Sequence, residues 1–228
     1  MIPQLGVRAI SGAAYAGLLL AALLPVWPLW VPLVVTLGIL GYLELTRLLR
    51  RSLHGGALLI GLVAGGLYVA IGIAALMNLQ FAWAGERGSL LGITHGRWAL
   101  LALVVTWASD VAAYLVGSTL GRRRLAPRIS PGKTWEGTLG GFAAAALAAA
   151  AFGSAYEMSP AGIAIVAALS GPAALASDLA ESAVKRAAGV KDSGRLIPGH
   201  GGALDRIDSL LLVAPLVYVA SLVARGLG

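Results

Sequence analysis

Apolar segments long enough to cross a lipid bilayer recur along the whole chain, and this pattern restricts the fold more than any other feature. A transmembrane helix needs roughly 20 apolar residues to span the hydrocarbon core. Segments of this kind cover residues 7–24, 30–46, 57–78, 98–119, 137–155, 161–181 and 207–225. The sequence therefore predicts an all-α polytopic membrane protein with about seven transmembrane helices.

The composition agrees with this fold class and excludes several others. Charged residues make up only 12% of the chain, about half the share found in soluble domains. Cysteine is absent, which excludes disulfides, cysteine-based zinc sites and a thiol nucleophile. The formal net charge is +7, but the basic residues lie in short loops between apolar segments, as in membrane proteins. We therefore expect membrane lipids as partners and no nucleic acid.

The distribution of lysine and arginine predicts the orientation in the membrane. With the N-terminus inside, fourteen of the 17 basic residues fall on the inside and three on the outside. The positive-inside rule then places the N-terminus and the main polar loops on the cytoplasmic side of the inner cell membrane. The first apolar segment is followed by Pro25-Val26-Trp27-Pro28 rather than by a small-residue cleavage site. We therefore expect that segment to be retained as a span.

One polar stretch, residues 178–208, holds five of the ten carboxylates and two of the three lysines. Residues spaced i, i+3, i+4 and i+7 share one face of a helix. This spacing is met by Asp178, Glu181, Ser182 and Lys185. Asp205 and Asp208 repeat the i, i+3 spacing at the start of the next apolar segment. The stretch therefore predicts two helix ends that both carry carboxylates.

The segment between these helix ends, residues 194–202, is too rich in glycine and proline to continue as a helix. Paired carboxylates suit a hard divalent cation such as Mg²⁺, which bridges to substrate phosphates. Glycines allow the backbone to approach a phosphate, and lysine and arginine neutralise it. This combination favours a metal–polyphosphate site. The alternative is a solvated loop with ordinary charges at the helix ends.

The same stretch resembles the signature of the CDP-diacylglycerol synthases, the phosphatidate cytidylyltransferases. The positions that carry the resemblance are Ser182, Lys185, Arg186, Lys191, Asp192, Gly194, Ile197, Pro198, His200, Gly201, Gly202, Asp205, Arg206 and Asp208. Ala203 departs from the pattern, because the family usually has a larger aliphatic residue there. The departure removes no chemical group.

A second polar motif follows the fourth apolar segment. Asp110 lies inside this segment with Tyr114 one helical turn later, and a carboxylate at membrane depth is costly and usually functional or paired. The alternative for Asp110 is a structural hydrogen bond between helices.

The next loop contains Ser-Pro-Gly-Lys-Thr-Trp-Glu-Gly at 130–137, which also occurs in bacterial members of the family. Its Gly-Lys-Thr resembles a P-loop, but Pro127 replaces the first glycine of that motif. The preceding arginines 122–124 signal topology or attract an anionic lipid headgroup.

The resemblance implies the transfer of CMP from CTP to phosphatidic acid, giving CDP-diacylglycerol and pyrophosphate for phospholipid biosynthesis. The phosphate of phosphatidic acid is already an anionic nucleophile, so the reaction needs charge neutralisation and in-line positioning rather than a strong general base. Within one integral-membrane domain, we expect residues 1–97 to form N-terminal membrane helices and residues 98–228 to form the catalytic region. The active site is expected near the cytoplasmic face, because CTP is soluble.

As a hypothesis, the chemistry of this reaction also suggests roles for individual residues. Asp178, Asp205 and Asp208 are expected to hold one or two divalent ions, foremost Mg²⁺, with a monovalent cation also allowed. The other residues expected at the catalytic centre are Glu181, Lys185, Arg186, Lys191, Asp192, His200 and Arg206. Those expected to bind substrate are Asp110, Tyr114, Arg128, Ser130, Lys133, Thr134, Ser182, Gly201 and Gly202. The lysines and arginines would neutralise the triphosphate and the leaving pyrophosphate.

Two other functions remain open. A related enzyme would use CTP to activate another lipid phosphate, such as an ether-linked or prenylated one. An ion- or proton-coupled transporter would instead spread its buried acids along a path through the bilayer.

Two further expectations concern structure. Glu44 is expected to pair with another helix or to reach the interface, and Gly140 and Gly141 are expected to allow close helix packing, with a homodimer as one outcome.

Overall fold

The computed structural model describes residues 17–19, 21, 29–81, 96–194, 196 and 201–226. Within these ranges six long helices account for most of the chain. Their bounds are α1 Trp30–Ser52, α2 Gly55–Phe81, α3 Arg97–Thr119, α4 Trp135–Ala155, α5 Pro160–Ala187 and α6 Leu204–Gly226. All six are long and apolar enough to cross a membrane, which confirms six of the predicted spans and the all-α polytopic class. The first predicted span, 7–24, lies almost entirely outside the described residues.

Helix α6 is the centre of the bundle. It contacts α1, α2, α3 and α5. In its most apolar 18-residue segment 56% of the segment is buried, compared with 11% in the corresponding segment of α2. Helices from both sides of the expected 97/98 division therefore pack around one core. The division itself stays a prediction.

Helix α5 continues six residues beyond the predicted end of its span, to Ala187. The apolar pattern ends at the polar residues, but the backbone hydrogen bonds of a helix do not require an apolar side chain. Just after the end of the helix, Gly189 has a left-handed φ of 72°. The Val190 and Gly189 amides donate to the Lys185 and Arg186 carbonyls at 2.9 and 3.0 Å, the pattern of a Schellman motif.

The loop predicted after α3 contains a short antiparallel hairpin. Its strands are β1 Arg124–Ala126 and β2 Ser130–Thr134, so the Ser-Pro-Gly-Lys-Thr segment is a strand. Proline is tolerated there because each strand of a two-stranded hairpin has a free edge. Thr134 then caps α4 by accepting a hydrogen bond from the Gly137 amide at 3.1 Å.

Small residues allow α4 to pack closely on α3. A Cβ atom added at Gly141 would lie 2.9 Å from the Ser109 carbonyl oxygen, and one at Gly137 would lie 2.6 Å from the Ala113 carbonyl oxygen. Both distances are too short for a real side chain. The predicted close packing by this small-residue helix is therefore confirmed.

Candidate active site

The two polar motifs meet at one end of the bundle. Helices α3 and α5 end there, α4 and α6 begin there, and the hairpin lies between α3 and α4. A cavity of about 660 Å³ opens at this end. The predicted site residues that line it are Asp110, Tyr114, Ser130, Lys133, Thr134, Asp178, Asp205, Arg206 and Asp208. Segments 45 or more residues apart in the chain thus contribute to one pocket.

An ion pair joins the motifs across the cavity wall. The Lys133 ammonium donates to Asp178 Oδ2 at 2.5 Å, and the two side chains are 25% and 28% exposed. The other carboxylate oxygen, Oδ1, accepts from the Ser182 hydroxyl at 3.1 Å. Lys133 lines the cavity, and its partial exposure leaves the ammonium accessible from it.

Lys185 is buried behind the cavity between two carboxylates. Its ammonium donates to Glu181 Oε2 at 2.9 Å and to Asp205 Oδ1 at 2.7 Å. The exposed fractions of the Lys185, Glu181 and Asp205 side chains are 11%, 4% and 7%. This ammonium therefore already has two buried carboxylates as partners. Its expected contact with the triphosphate stays a prediction.

Asp205 organises the loop that precedes α6. Its Oδ2 accepts from the Ser193 amide at 2.9 Å, the Ser193 hydroxyl at 2.9 Å and the Gly202 amide at 2.7 Å. A carboxylate in the first turn also interacts favourably with the positive end of the helix dipole. Asp205 thus combines a position on the cavity wall with a structural role that its place in the motif did not reveal.

The other predicted residues lie around this centre. Arg186 donates to the Ile129 carbonyl at 3.1 Å and to the Val190 carbonyl at 2.8 Å, so it ties the end of α5 to the hairpin. Arg128, Lys191 and Asp192 are exposed, as is Arg186, and Gly202 is buried. Gly201 has a left-handed φ of 86°. The prediction for His200 falls outside the described residues.

Three residues that hold the site were missed as functional candidates. Glu44 on α1 accepts from the Leu204 amide at 2.9 Å and from the Ser193 hydroxyl at 2.7 Å; the expectation that it pairs with another helix is therefore confirmed. The Tyr68 hydroxyl on α2 donates to the Asp208 carbonyl at 3.0 Å. For Glu44 and Tyr68, the sequence signal was a polar side chain inside an apolar segment. Ser193 stood at a variable position of the signature.

The donor atoms of the cavity fit a hard cation. Its four carboxylates, Asp110, Asp178, Asp205 and Asp208, offer oxygen only, the ligand type that Mg²⁺ prefers. Among the described residues, no three acidic, histidine or cysteine side chains form a ready-made metal cluster. Mg²⁺ often takes one or two carboxylates and completes its shell with water and substrate phosphates, so this arrangement suits an ion that arrives with a nucleotide.

Comparisons with known proteins identify a family and several relatives. A sequence model of the Cytidylyltransferase family matches residues 93–223, more than half of the chain. The phosphatidate cytidylyltransferase of Brucella suis is 50% identical over 117 residues, which cover 50% of this chain and 43% of that protein. The phosphatidate cytidylyltransferase of Pseudomonas aeruginosa is 41% identical over 175 residues, which cover 72% of this chain and 61% of that protein. Escherichia coli YnbB, named as an uncharacterized protein, is 44% identical over 120 residues, which cover 52% of this chain and 40% of that protein.

The matched region thus includes α3 to α5, the hairpin and nearly all of α6, with every element that lines the cavity. The matches to these three relatives span between 40% and 61% of the relatives' lengths. The family model therefore covers the part of this chain that carries both polar motifs.

Proposed function

Because the chain belongs to the cytidylyltransferase family, we propose that it transfers CMP from CTP to phosphatidic acid and releases pyrophosphate. The observation that carries the proposal is the single cavity in which both motif segments meet. Among the described residues, four carboxylates and three cationic side chains, Arg124, Lys133 and Arg206, line it together. A transporter would need its acids distributed along a path through the bilayer, whereas these four acids share one pocket at one end of the bundle.

The proposed reaction is a displacement at phosphorus. An oxygen of the phosphatidate phosphate forms a bond to the α-phosphorus of CTP, the bond to the β-phosphate oxygen breaks, and pyrophosphate leaves with that electron pair. Lys133, Arg124 and Arg206 would neutralise the phosphates and hold them in line. Mg²⁺ would be held by one or two of the predicted ligands Asp178, Asp205 and Asp208, with water and substrate phosphates completing its shell, and it would supply charge stabilisation for the displacement. Lys133 would exchange Asp178 for a substrate phosphate.

We also propose that the cavity opens towards the cytoplasm at the inner membrane. Twelve of the 14 described lysines and arginines lie at the cavity end of the bundle, and only Arg97 and Arg225 lie at the other end. The positive-inside rule favours the cytoplasm for the basic end. Phe142, Ala174 and Leu175 form an apolar part of the same wall. Soluble CTP and a lipid phosphate could therefore both reach the reacting atoms.

The test is turnover of labelled CTP by purified protein in liposomes that contain dioleoyl phosphatidic acid and Mg²⁺. We expect a labelled CDP-lipid, loss of product with EDTA, and loss of product in Asp178→Asn. Glu157→Gln is the matched control, because Glu157 is exposed, lies beyond the far end of α4 and is absent from the described cavity lining. Equal loss in both variants would contradict the assigned site. The absence of any CTP chemistry would refute the function.

A related lipid phosphate remains the second candidate substrate. The apolar wall residues Phe142, Ala174 and Leu175 carry no polar side-chain group that would distinguish an ester from an ether linkage. The same assay with a dialkyl ether phosphate and a prenyl phosphate separates the candidates. Preference for either lipid over phosphatidic acid would change the substrate but keep the reaction.

The homodimer is a separate part of the proposal. Gly137, Gly140 and Gly141 of α4 face α3 within one chain, but Leu147 on the same helix is 71% exposed. Cysteine introduced at Leu147 should crosslink between two copies in liposomes if α4 forms the interface. Crosslinking no greater than at Leu59, which is also exposed on α2, would contradict a dimer through α4.

A further inference from the structure

A buried carboxylate outside both motifs contacts the loop that enters the site. Glu44 lies on α1 and is 5% exposed, and it is outside the segment that matches the family. We propose that Glu44 is a positioning residue for the proposed reaction. Its carboxylate holds the chain on both sides of the 195–200 segment, at Ser193 and at Ala203–Leu204, so that Asp205 and Arg206 face the cavity. This inference rests on the proposed function.

Hydrogen bonds at the start of α6 are the first support. Glu44 Oε1 accepts from the Ala203 amide at 3.1 Å, and Oε2 accepts from the Leu204 amide at 2.9 Å. The first amides of a helix have no partner within the helix. A capping side chain normally comes from the residue before the helix, whereas here it comes from another helix more than 150 residues earlier. The position of α6 along its axis is thereby tied to α1.

Two glycines of the signature are the second support. A Cβ atom at Gly194 would overlap Glu44 Oε1, and one at Gly202 would overlap Glu44 Oε2. The carboxylate therefore occupies the space that side chains at these two positions would need. Glycines in this loop had suggested close approach to a phosphate. At Gly194 and Gly202 the structure provides another reason, which is close approach to a protein carboxylate.

Ser193 transmits the position of Glu44 to the cavity wall. Its hydroxyl lies 2.7 Å from Glu44 Oε2 and 2.9 Å from Asp205 Oδ2. A hydroxyl has one proton to donate, so the two carboxylates share or alternate a single donor. A change in the charge or length of Glu44 must therefore alter the hydrogen bonding of Asp205. Asp205 lines the cavity, and Arg206 follows it in the chain.

The kinetic test compares Glu44→Gln and Glu44→Asp with the wild type in the CTP assay. A lost hydrogen bond to a buried charged acceptor corresponds to about a tenfold to hundredfold effect. We expect kcat/KM for CTP to fall by that factor in Glu44→Gln, with KM for the lipid phosphate within about twofold of wild type. We expect Glu44→Asp, which keeps the charge, to recover part of the loss.

A positioning role and a purely structural role of Glu44 predict different kinetic results. Glu157→Gln makes the same chemical change at an exposed residue beyond the opposite end of α4, and it should leave kcat/KM unchanged. If Glu44 only stabilised the fold, Glu44→Gln would lower the yield of folded protein but leave kcat and KM per folded molecule unchanged. That outcome would overturn the positioning role.

A second experiment tests the contact without any activity. Gly194→Ala is introduced into wild type, Glu44→Asp and Glu44→Ala, and the thermal unfolding midpoint is measured in detergent. In wild type the added methyl group overlaps the Glu44 carboxylate, so the midpoint should fall by roughly 2–10 °C. Without that carboxylate the nearest remaining atom is the Gly202 Cα at 3.2 Å, so the decrease should be smaller. Glu44→Asp provides the comparison if Glu44→Ala does not fold.

The two experiments separate failure of this inference from failure of the proposed function. An equal decrease in all backgrounds would overturn the Glu44–Gly194 contact, whatever the enzyme does. A protein that turns over no CTP with any lipid phosphate would refute the proposed function, and the kinetic role of Glu44 with it. The unfolding experiment would in that case still decide whether Glu44 holds the loop.

Discussion

Replacing Lys185 with methionine distinguishes a structural ammonium from one that binds the triphosphate. Methionine keeps most of the length and the apolar stem but removes the charge. In the structure this change leaves Glu181 and Asp205, 2.9 and 2.7 Å from the ammonium, without their common partner. Since the carboxylates are only 4% and 7% exposed, water cannot fully replace the lost interaction.

The expected cost is large for a single substitution. Removing one member of a buried ion pair costs about 3–5 kcal/mol, because the remaining charge is left uncompensated. The free energy of unfolding is measured by titrating the protein in mixed micelles with dodecyl sulfate while tryptophan fluorescence is followed. Adding Glu181→Gln to Lys185→Met replaces one of the two buried carboxylates that have lost their ammonium partner. The double variant should therefore be more stable than Lys185→Met alone.

Lys191→Met is the matched control, since Lys191 is exposed near the end of the same polar stretch. Its free energy of unfolding should stay within about 0.5 kcal/mol of wild type, as for most surface substitutions. The reasoning is refuted if Lys185→Met unfolds within about 1 kcal/mol of wild type but raises KM for CTP. Lys185 would then act as the phosphate-binding residue that the family resemblance implies.

Three further substitutions test other contacts of the site. Tyr68→Phe removes the hydroxyl that donates to the backbone of α6 at 3.0 Å, and it should lower the free energy of unfolding by about 1 kcal/mol in the same titration; no change would contradict that bond. Gly141→Val places a side chain against the Ser109 carbonyl, where a Cβ would lie 2.9 Å away, and should cost about 1–3 kcal/mol or more; wild-type stability would contradict the tight α3–α4 contact. Lys133→Met should lower CTP turnover at least about tenfold but change stability by no more than about 1 kcal/mol, because its ion pair is partly exposed. A stability loss without a loss of turnover would reverse that assignment.

Local spacing predicted the contacts that lie within one helix. Asp178 and Ser182, and Glu181 and Lys185, stand four residues apart and form hydrogen bonds at 3.1 and 2.9 Å. Helical geometry alone brings such residues together, so one sequence was sufficient. The hairpin was not predicted, because its glycine and proline content resembles that of an irregular loop.

Contacts between distant segments could be identified only in the folded chain. The sequence indicated that Lys133 and Asp178 belong to polar motifs, but only the packing of the hairpin on α5 shows that they pair. Glu44 was an isolated acid in an apolar segment, and its partners lie about 150 residues away. No periodic pattern encodes a contact of that kind.

The membrane class, the six described spans and the residue types of the proposed phosphate site could be inferred from one sequence, because bilayer thickness and helical periodicity act on neighbouring residues. How the charges are shared became visible only in the folded chain. Lys133 faces the cavity, Lys185 is buried between two carboxylates, and Glu44 holds the start of α6. The physical reason is that burial and charge compensation depend on which helices pack together, whereas the chemical identity of each residue does not.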